Sequence, residues 1–306
     1  MDHQPTLFGE TRPQSKDSAS TEATADSTIL DALPAFVEHL HERSLAENTI
    51  RCFRNDIELL AQHLGESKPI SACTTQVLRQ YLSHLQGRER PSAKTRQRRT
   101  TTLKTFFGWL VQIGAIPNDP STSLGQTPSP VRLPRVLGPS ERDRLLATAR
   151  ELAHAEEPDT RPDILVSLLL ATGIKKAECL GTRLDDLYLE ASPAVTIQPA
   201  TKSARPRYLR LPDSFPQQVA RYRLQYKPKE YLFECTGRNL EYVLDDLRRQ
   251  AGIERRVGFR ILRWTSAVDS LRKGMDPETL RLRLGLAEAT WANRLPLLEQ
   301  LAQGPL

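Results

Sequence analysis

The stretch GFRILRWTSA, residues 258–267, holds two arginines three apart, Arg260 and Arg263, among apolar residues. On a helix that spacing puts both guanidiniums on one face. Paired guanidiniums imply an anion opposite, and the planar fork of arginine suits phosphate. Arg255 and Arg256 lie just upstream, and Lys202, Arg205, Arg207 and Arg210 crowd a second stretch. A third cluster, RERPSAKTRQRRTTTLK (88–104), sets seven basic residues against one acid and includes Lys94, Arg96, Arg98, Arg99 and Lys104. Its interleaved Ser and Thr, like Arg and Lys, are groups that contact phosphate oxygens. On a helix, Lys94, Arg98 and a hydroxyl of Thr101 or Thr102 can share a face opposite Phe106, Phe107 and Trp109. A charge run is usually a solvated helix face. Here the acids needed for surface pairing are missing, which favours contact with nucleic acid. Three basic clusters in one chain suggest an extended surface suited to double-stranded DNA.

These residues need elements to hold them. The chain has 306 residues, 39% of them hydrophobic, enough for two domains with separate cores. Residues 1–27 are polar and read as a disordered tail. From 28 to 127 the pattern is helical, with Phe36, Val37, Leu40, Ile50, Phe53, Ile57, Leu60 and Leu64 at steps of three and four. SLAENT forms a turn between the first two helices, with Ser44 as an N-cap. A third helix covers TTQVLRQYLSHLQG, and a fourth runs through AKTRQRRTTTLKTFFGWLVQIG and stops at Gly114. Proline-rich residues 128–138 read as a linker. A second, mainly helical domain follows over 139–306, with one hairpin signal in AVTIQPATKSARPRYLRLP. The expected class is therefore mainly α with a small β-hairpin or sheet. The net charge is +6, and each folded part is basic while the tail is acidic.

No eighteen-residue apolar run and no signal-peptide core is present, and the four cysteines are scattered without a CxxC pair. A cytoplasmic, nucleoid-associated protein with reduced thiols, no metal and no cofactor is the expectation.

The order of these features resembles the tyrosine recombinases, the phage-integrase and Xer-type site-specific recombinases. ENTIRCFRNDIELL and LKTFFGWLVQIGAIPNDP, followed by a proline-rich linker, are similar to the helical core-binding (SAM-like) domain of that family. ATGIKKAECLGTRLDDL resembles TGLRxSELLxLxxxDI, and the hairpin around Lys202 resembles GKGxKxRxVPL. RILRWTSAVDSLRKGMDPETLRLRLGL resembles HxLRHxFATxLLxxGxDxxxIxxLLGH. The resemblance implies a two-domain architecture with an integrase-like catalytic fold. It also implies a reaction in which a tyrosine attacks a DNA phosphate and becomes linked to the 3′ end. Two arginines stabilise the developing charge, and histidines and a lysine manage protons.

Carried over position by position, the first arginine falls on Lys175, which keeps the charge and loses the fork. The lysine falls on Lys202. The histidine of HxxR falls on Arg260, which cannot act as a base, and its arginine falls on Arg263. The next histidine position is Leu286, and the nucleophile position is Leu295. All six histidines lie at or before His154, and no tyrosine follows Tyr242. Tyr231 and Tyr242 precede the arginine pair and read as core or hairpin residues, and Thr265 and Ser266 as helix residues. The expectation is a grip on phosphate by Lys175, Lys202, Arg260 and Arg263, aided by Arg205 and Arg207, without a nucleophile. The alternative is an active recombinase with displaced catalytic groups. Leu297, Leu298 and Leu301, in residues 296–306, sit at helical spacing. That segment either docks on a second protomer or partner recombinase, or closes its own domain.

Overall fold

A computed structural model describes residues 23–125, 133–199 and 206–304. The chain divides into two compact units, one within Met1–Val131 and one within Arg132–Leu306. Lys202 and Arg205, most of the tail and residues 128–132 of the linker lie outside the described residues.

The first unit is helical: α1 (Ile29–Glu42), α2 (Glu47–Leu64), α3 (Thr75–Glu89) and α4 (Ala93–Gln112). Helix α1 begins at a capping box, in which Thr28 Oγ1 accepts from the Asp31 amide (3.1 Å) and Asp31 Oδ2 accepts from the Thr28 amide (3.0 Å). Residues 23–27 do not belong to a free tail, as composition suggested. Ala23 is buried, and the carbonyls of Ala25 and Ser27 accept from the amides of Ser71 and Ile70. Ser44 is not an N-cap either. It takes a left-handed turn at φ 56°, and Ala46 stands before α2 with no side-chain cap.

The aromatic face of α4 fills this core. Phe106 meets Phe36 edge-on at 5.1 Å between ring centroids, and Trp109 lies 5.4 Å from Phe36. The other face of α4 carries a buried polar cluster. The carboxylate of Asp56 on α2 is bonded by Arg98, accepts from Thr102 Oγ1 at 2.9 Å and lies 3.7 Å from Arg99 Nε. Arg98 also donates to Cys52 O at 3.2 Å.

In the second unit, α5 (Pro139–Ala153) packs on α6 (Arg161–Thr172), whose ILVSLLL run is apolar on every side because it is surrounded. Helix α6 also meets α8 (Phe215–Tyr226), α9 (Gly237–Gln250) and α10 (Phe259–Arg272). After α6 the chain forms the short α7 (Lys176–Leu180). It then forms an antiparallel sheet in the order β1 (Leu187–Tyr188), β2 (Ala194–Ile197), β3 (Arg207–Arg210). Val195 pairs with Leu187 and Leu209, which puts their side chains on the core face. Tyr208 falls on the outer face and is exposed.

Three helices complete the unit: α11 (Pro277–Leu284), α12 (Glu288–Ala292) and α13 (Leu295–Gln303). Helix α13 packs on α10 within its own unit, with Leu298 fully buried. Arg272 of α10 donates to the carbonyls of Leu301 (3.0 Å) and Ala302 (3.2 Å). Of the two possibilities for residues 296–306, the described part takes the intramolecular one. No described helix is long and apolar enough to cross a membrane.

The Asp56 cluster predicts a stability cost. Asp56→Ala leaves two arginines facing a carboxylate-free pocket and is expected to destabilise by about 3 kcal/mol. Denaturant unfolding of the intact chain reads it, and a loss under about 1 kcal/mol would contradict the role given to this carboxylate.

Candidate phosphate-binding site

Arg263 lies in the second turn of α10 and is 6% exposed. Its Nη1 donates to the carbonyl of Gly173, the C-cap of α6, and its Nη2 donates to Leu284 O at 2.7 Å. Gly173 takes φ 65°, and a Cβ there would meet Leu284 Cδ2 at 2.9 Å, so glycine is needed for the approach. Burial pushes the Arg263 guanidinium down to about 10; the nearby Glu178 charge opposes this, and Arg207 and Arg283 add to it. Its guanidinium is a fixed internal cation rather than the exposed phosphate contact that spacing suggests.

Among the described residues, Glu178 is the carboxylate that sits with these cations. It stands three residues after Lys175, at capping-box spacing, and its Oε2 accepts from the Lys175 amide at 2.7 Å. Its Oε1 accepts from Arg207 Nη2 at 2.6 Å and lies 3.9 Å from Lys175 Nζ. Arg207 also donates from Nη1 to Arg283 O at 3.1 Å. With 15% of its side chain exposed, Arg207 faces inward.

Arg283 is a further half-buried cation. Its Nη2 donates to Ser266 Oγ at 2.7 Å, while its Nε is buried without a hydrogen-bond partner among the described residues. Burial lowers its pKa. Thus Lys175, Arg207 and Arg263 are brought together through Glu178, with Arg283 beside them.

Arg260 is not part of this set. It is exposed in the first turn of α10 and has no ion pair or side-chain hydrogen bond among the described residues. Lys175 is also exposed. These two are the cations of the second unit, among those expected at the site, that face solvent.

In the first unit, Lys94 is exposed and Arg96 and Lys104 are half-buried. Arg98 and Arg99 turn to Asp56, and Thr102 is fully buried, which corrects the expected outward face. The reason is that a buried carboxylate draws the guanidiniums inward.

Among the described residues, the positions and groups considered for attack on a phosphate are either packed in the interior or lie away from these cations. Leu286 and Leu295 both pack into the apolar cluster around Val268, Leu280, Trp291 and Leu298. Tyr231 and Tyr242 are neither core nor hairpin residues. Tyr231 is 37% exposed beside the Arg183 guanidinium, and Tyr242 is 55% exposed on α9, accepting from Arg238 Nε at 2.9 Å. Thr265 and Ser266 are buried helix residues, and Thr265 Oγ1 accepts from the Leu137 amide at 2.9 Å. Cys179 is buried, which pushes its thiol up and keeps it protonated. Among the described residues no group of three or more His, Cys, Asp or Glu could hold a metal ion.

Sequence reasoning missed Glu178 and Arg283. The Lys175–Glu178 spacing was a signal for the first. Arg283 alternates with leucines in LRLRLGL and offered none.

Comparison with known proteins agrees with this architecture. Residues 33–114 match the phage integrase, N-terminal SAM-like domain. Tyrosine recombinase XerC of Listeria monocytogenes serotype 4a is 27% identical over 269 residues, covering 82% of this chain and 88% of that protein. XerC of Mycobacterium sp. strain JLS is 32% identical over 164 residues, covering 52% of this chain and 54% of that one. Among solved structures, a lambda integrase dimer bound to a COC' core site aligns at TM-score 0.70 with 14% identity. That alignment covers 92% of this chain and 79% of that one. XerH bound to palindromic difH substrate aligns at 0.68 with 16% identity, covering 85% and 78%. Mainly helical, with one small antiparallel sheet, the fold is that of the two-domain recombinases. Over most of its length the chain is similar to tyrosine recombinases.

Two substitutions separate the buried arginines. Arg263→Met strands the carbonyls of Gly173 and Leu284 and is expected to cost about 3 kcal/mol. Arg283→Met removes a cation whose Nε is unpartnered and is expected to be neutral or stabilising by about 1 kcal/mol. Thermal and denaturant unfolding of both variants checks the order, and the reverse order would overturn these assignments.

Proposed function

We propose that this chain acts in DNA recombination or integration as a duplex-binding member of its family that holds phosphate without cutting it. It would serve as an accessory or site-binding subunit, beside an active recombinase or alone. The observation that carries the reading is the occupancy of the two carried-over positions. Leu286 stands for the histidine and Leu295 for the nucleophile, and both are spent on the apolar packing of α10 to α13. A leucine supplies neither a proton carrier nor an attacking oxygen.

What remains around Arg263 is positive. Lys175 and Arg260 offer solvent-facing charge, Arg263 stands behind as a fixed cation, and Lys202 carries the family's lysine position outside the described residues. Lys94, Arg96 and Lys104 supply a second cationic set in the first unit, while Arg98 and Arg99 shape it from within. Support for DNA as the partner comes from the similarity to tyrosine recombinases, from the basic balance of the chain and from structural neighbours that hold DNA.

The test uses a duplex with a nick placed so that a cleaved end is trapped on the protein. The chain is expected to shift this duplex, with log affinity falling linearly in log salt, and to form no covalent adduct. Lys175→Ala or Arg260→Ala is expected to weaken binding across sequences and reduce that slope by about 1 each. A denaturant-resistant adduct would overturn the non-cutting reading, and no binding at low salt would overturn the DNA-binding one.

A further inference from the structure

We infer that Arg207 is a positioning residue: a guanidinium clasp that fastens β3 and α7 to the end of α11 and so sets where the outward cations stand. It takes no part in contacting DNA itself. The inference rests on the duplex-binding reading above and assigns a role within that site.

The carbonyls at the end of α11 make the case. A helix leaves its last four carbonyls without intrahelical donors. Here each has a partner. The amides of Leu286 and Gly285 take Arg281 O (3.2 Å) and Leu282 O (3.0 Å), in a turn that Gly285 closes at φ 59°. The remaining two, Arg283 O and Leu284 O, are taken by Arg207 and Arg263. Two cations therefore cap one helix C-terminus, where the helix dipole favours them.

Both end nitrogens of Arg207 are used, Nη1 on Arg283 O and Nη2 on Glu178 Oε1. Its guanidinium lies directly against Gly285, where a Cβ would stand 2.8 Å from Cζ. Through Glu178 the clasp reaches the Lys175 amide, and through the α11 end it reaches the carbonyl that holds Arg263. The first residue of β3 is thereby tied to both sides of the cation group. Lysine keeps the charge but presents no planar fork, so it cannot bond both acceptors in this geometry.

The clasp predicts that charge is not what matters at this position. Duplex affinity is measured by fluorescence anisotropy well below each variant's Tm, on the full chain. Arg207→Lys is expected to lose as much affinity as Arg207→Ala, about tenfold. Gly285→Ala leaves every cation in the chain and is expected to lose a similar factor. In the Arg207→Ala background it should cost much less, because the two residues act as one contact. The same non-additivity should appear in Tm.

Wild-type affinity in Arg207→Lys beside a loss in Arg207→Ala would show a direct charge contact and overturn the inference. Lowered Tm with unchanged affinity of the folded protein would make Arg207 merely stabilising, and would also overturn it. If the unaltered chain bound no duplex, the DNA reading would fall. The coupling of Arg207 and Gly285 in Tm would then decide the clasp by itself, additivity counting against it.

Discussion

An arginine with 6% of its surface exposed has lost most of its water and must find its hydrogen bonds inside the protein. Arg263 finds them on two backbone carbonyls, Gly173 O at the end of α6 and Leu284 O at the end of α11. Helix ends are where carbonyls lack partners, so the cation and the two C-termini satisfy one another. Helix α10 and the ends of α6 and α11 meet at this one side chain. The rest of the cation group is arranged around it: Glu178 offsets part of its charge, Arg207 bonds Glu178, and the same carboxylate caps the turn that presents Lys175.

This arrangement separates holding from reaching. The buried arginines bond backbone carbonyls and a carboxylate, and Lys175 and Arg260 face solvent. A site of this kind concentrates positive charge with one carboxylate to offset it, which is a stable arrangement only where part of the charge faces water or an anionic ligand. The first unit repeats the division. Arg98 and Arg99 are drawn to Asp56 and tie α4 to α2, while Lys94 on the same helix stays exposed.

Much of this was legible in the sequence, and the failures have physical causes. The three-and-four spacing of Phe36, Leu40, Ile50, Phe53, Ile57 and Leu60 marks residues that are all buried, because helical periodicity is a local property. Arg260 and Arg263 stood out by spacing. Which of them turns inward was not readable, since the acceptors for Arg263 lie 90 and 21 residues away. The inward turn of Arg98 was missed for the same reason. Its carboxylate partner is 42 residues upstream, outside any window over which the local charge is counted. The two-residue strand β1 carries too short a pattern to signal itself, and the half-buried Arg283 looks in sequence like any surface arginine.

In the function proposed above, the chain grips duplex DNA and leaves its strands intact. Incubation with negatively supercoiled plasmid, at protein concentrations that retard the plasmid, tests it most directly, because one transient strand break relaxes a whole molecule. Retardation is expected, with the topoisomer distribution unchanged after the protein is removed. Relaxed topoisomers, or protein left covalently on nicked plasmid, would contradict it.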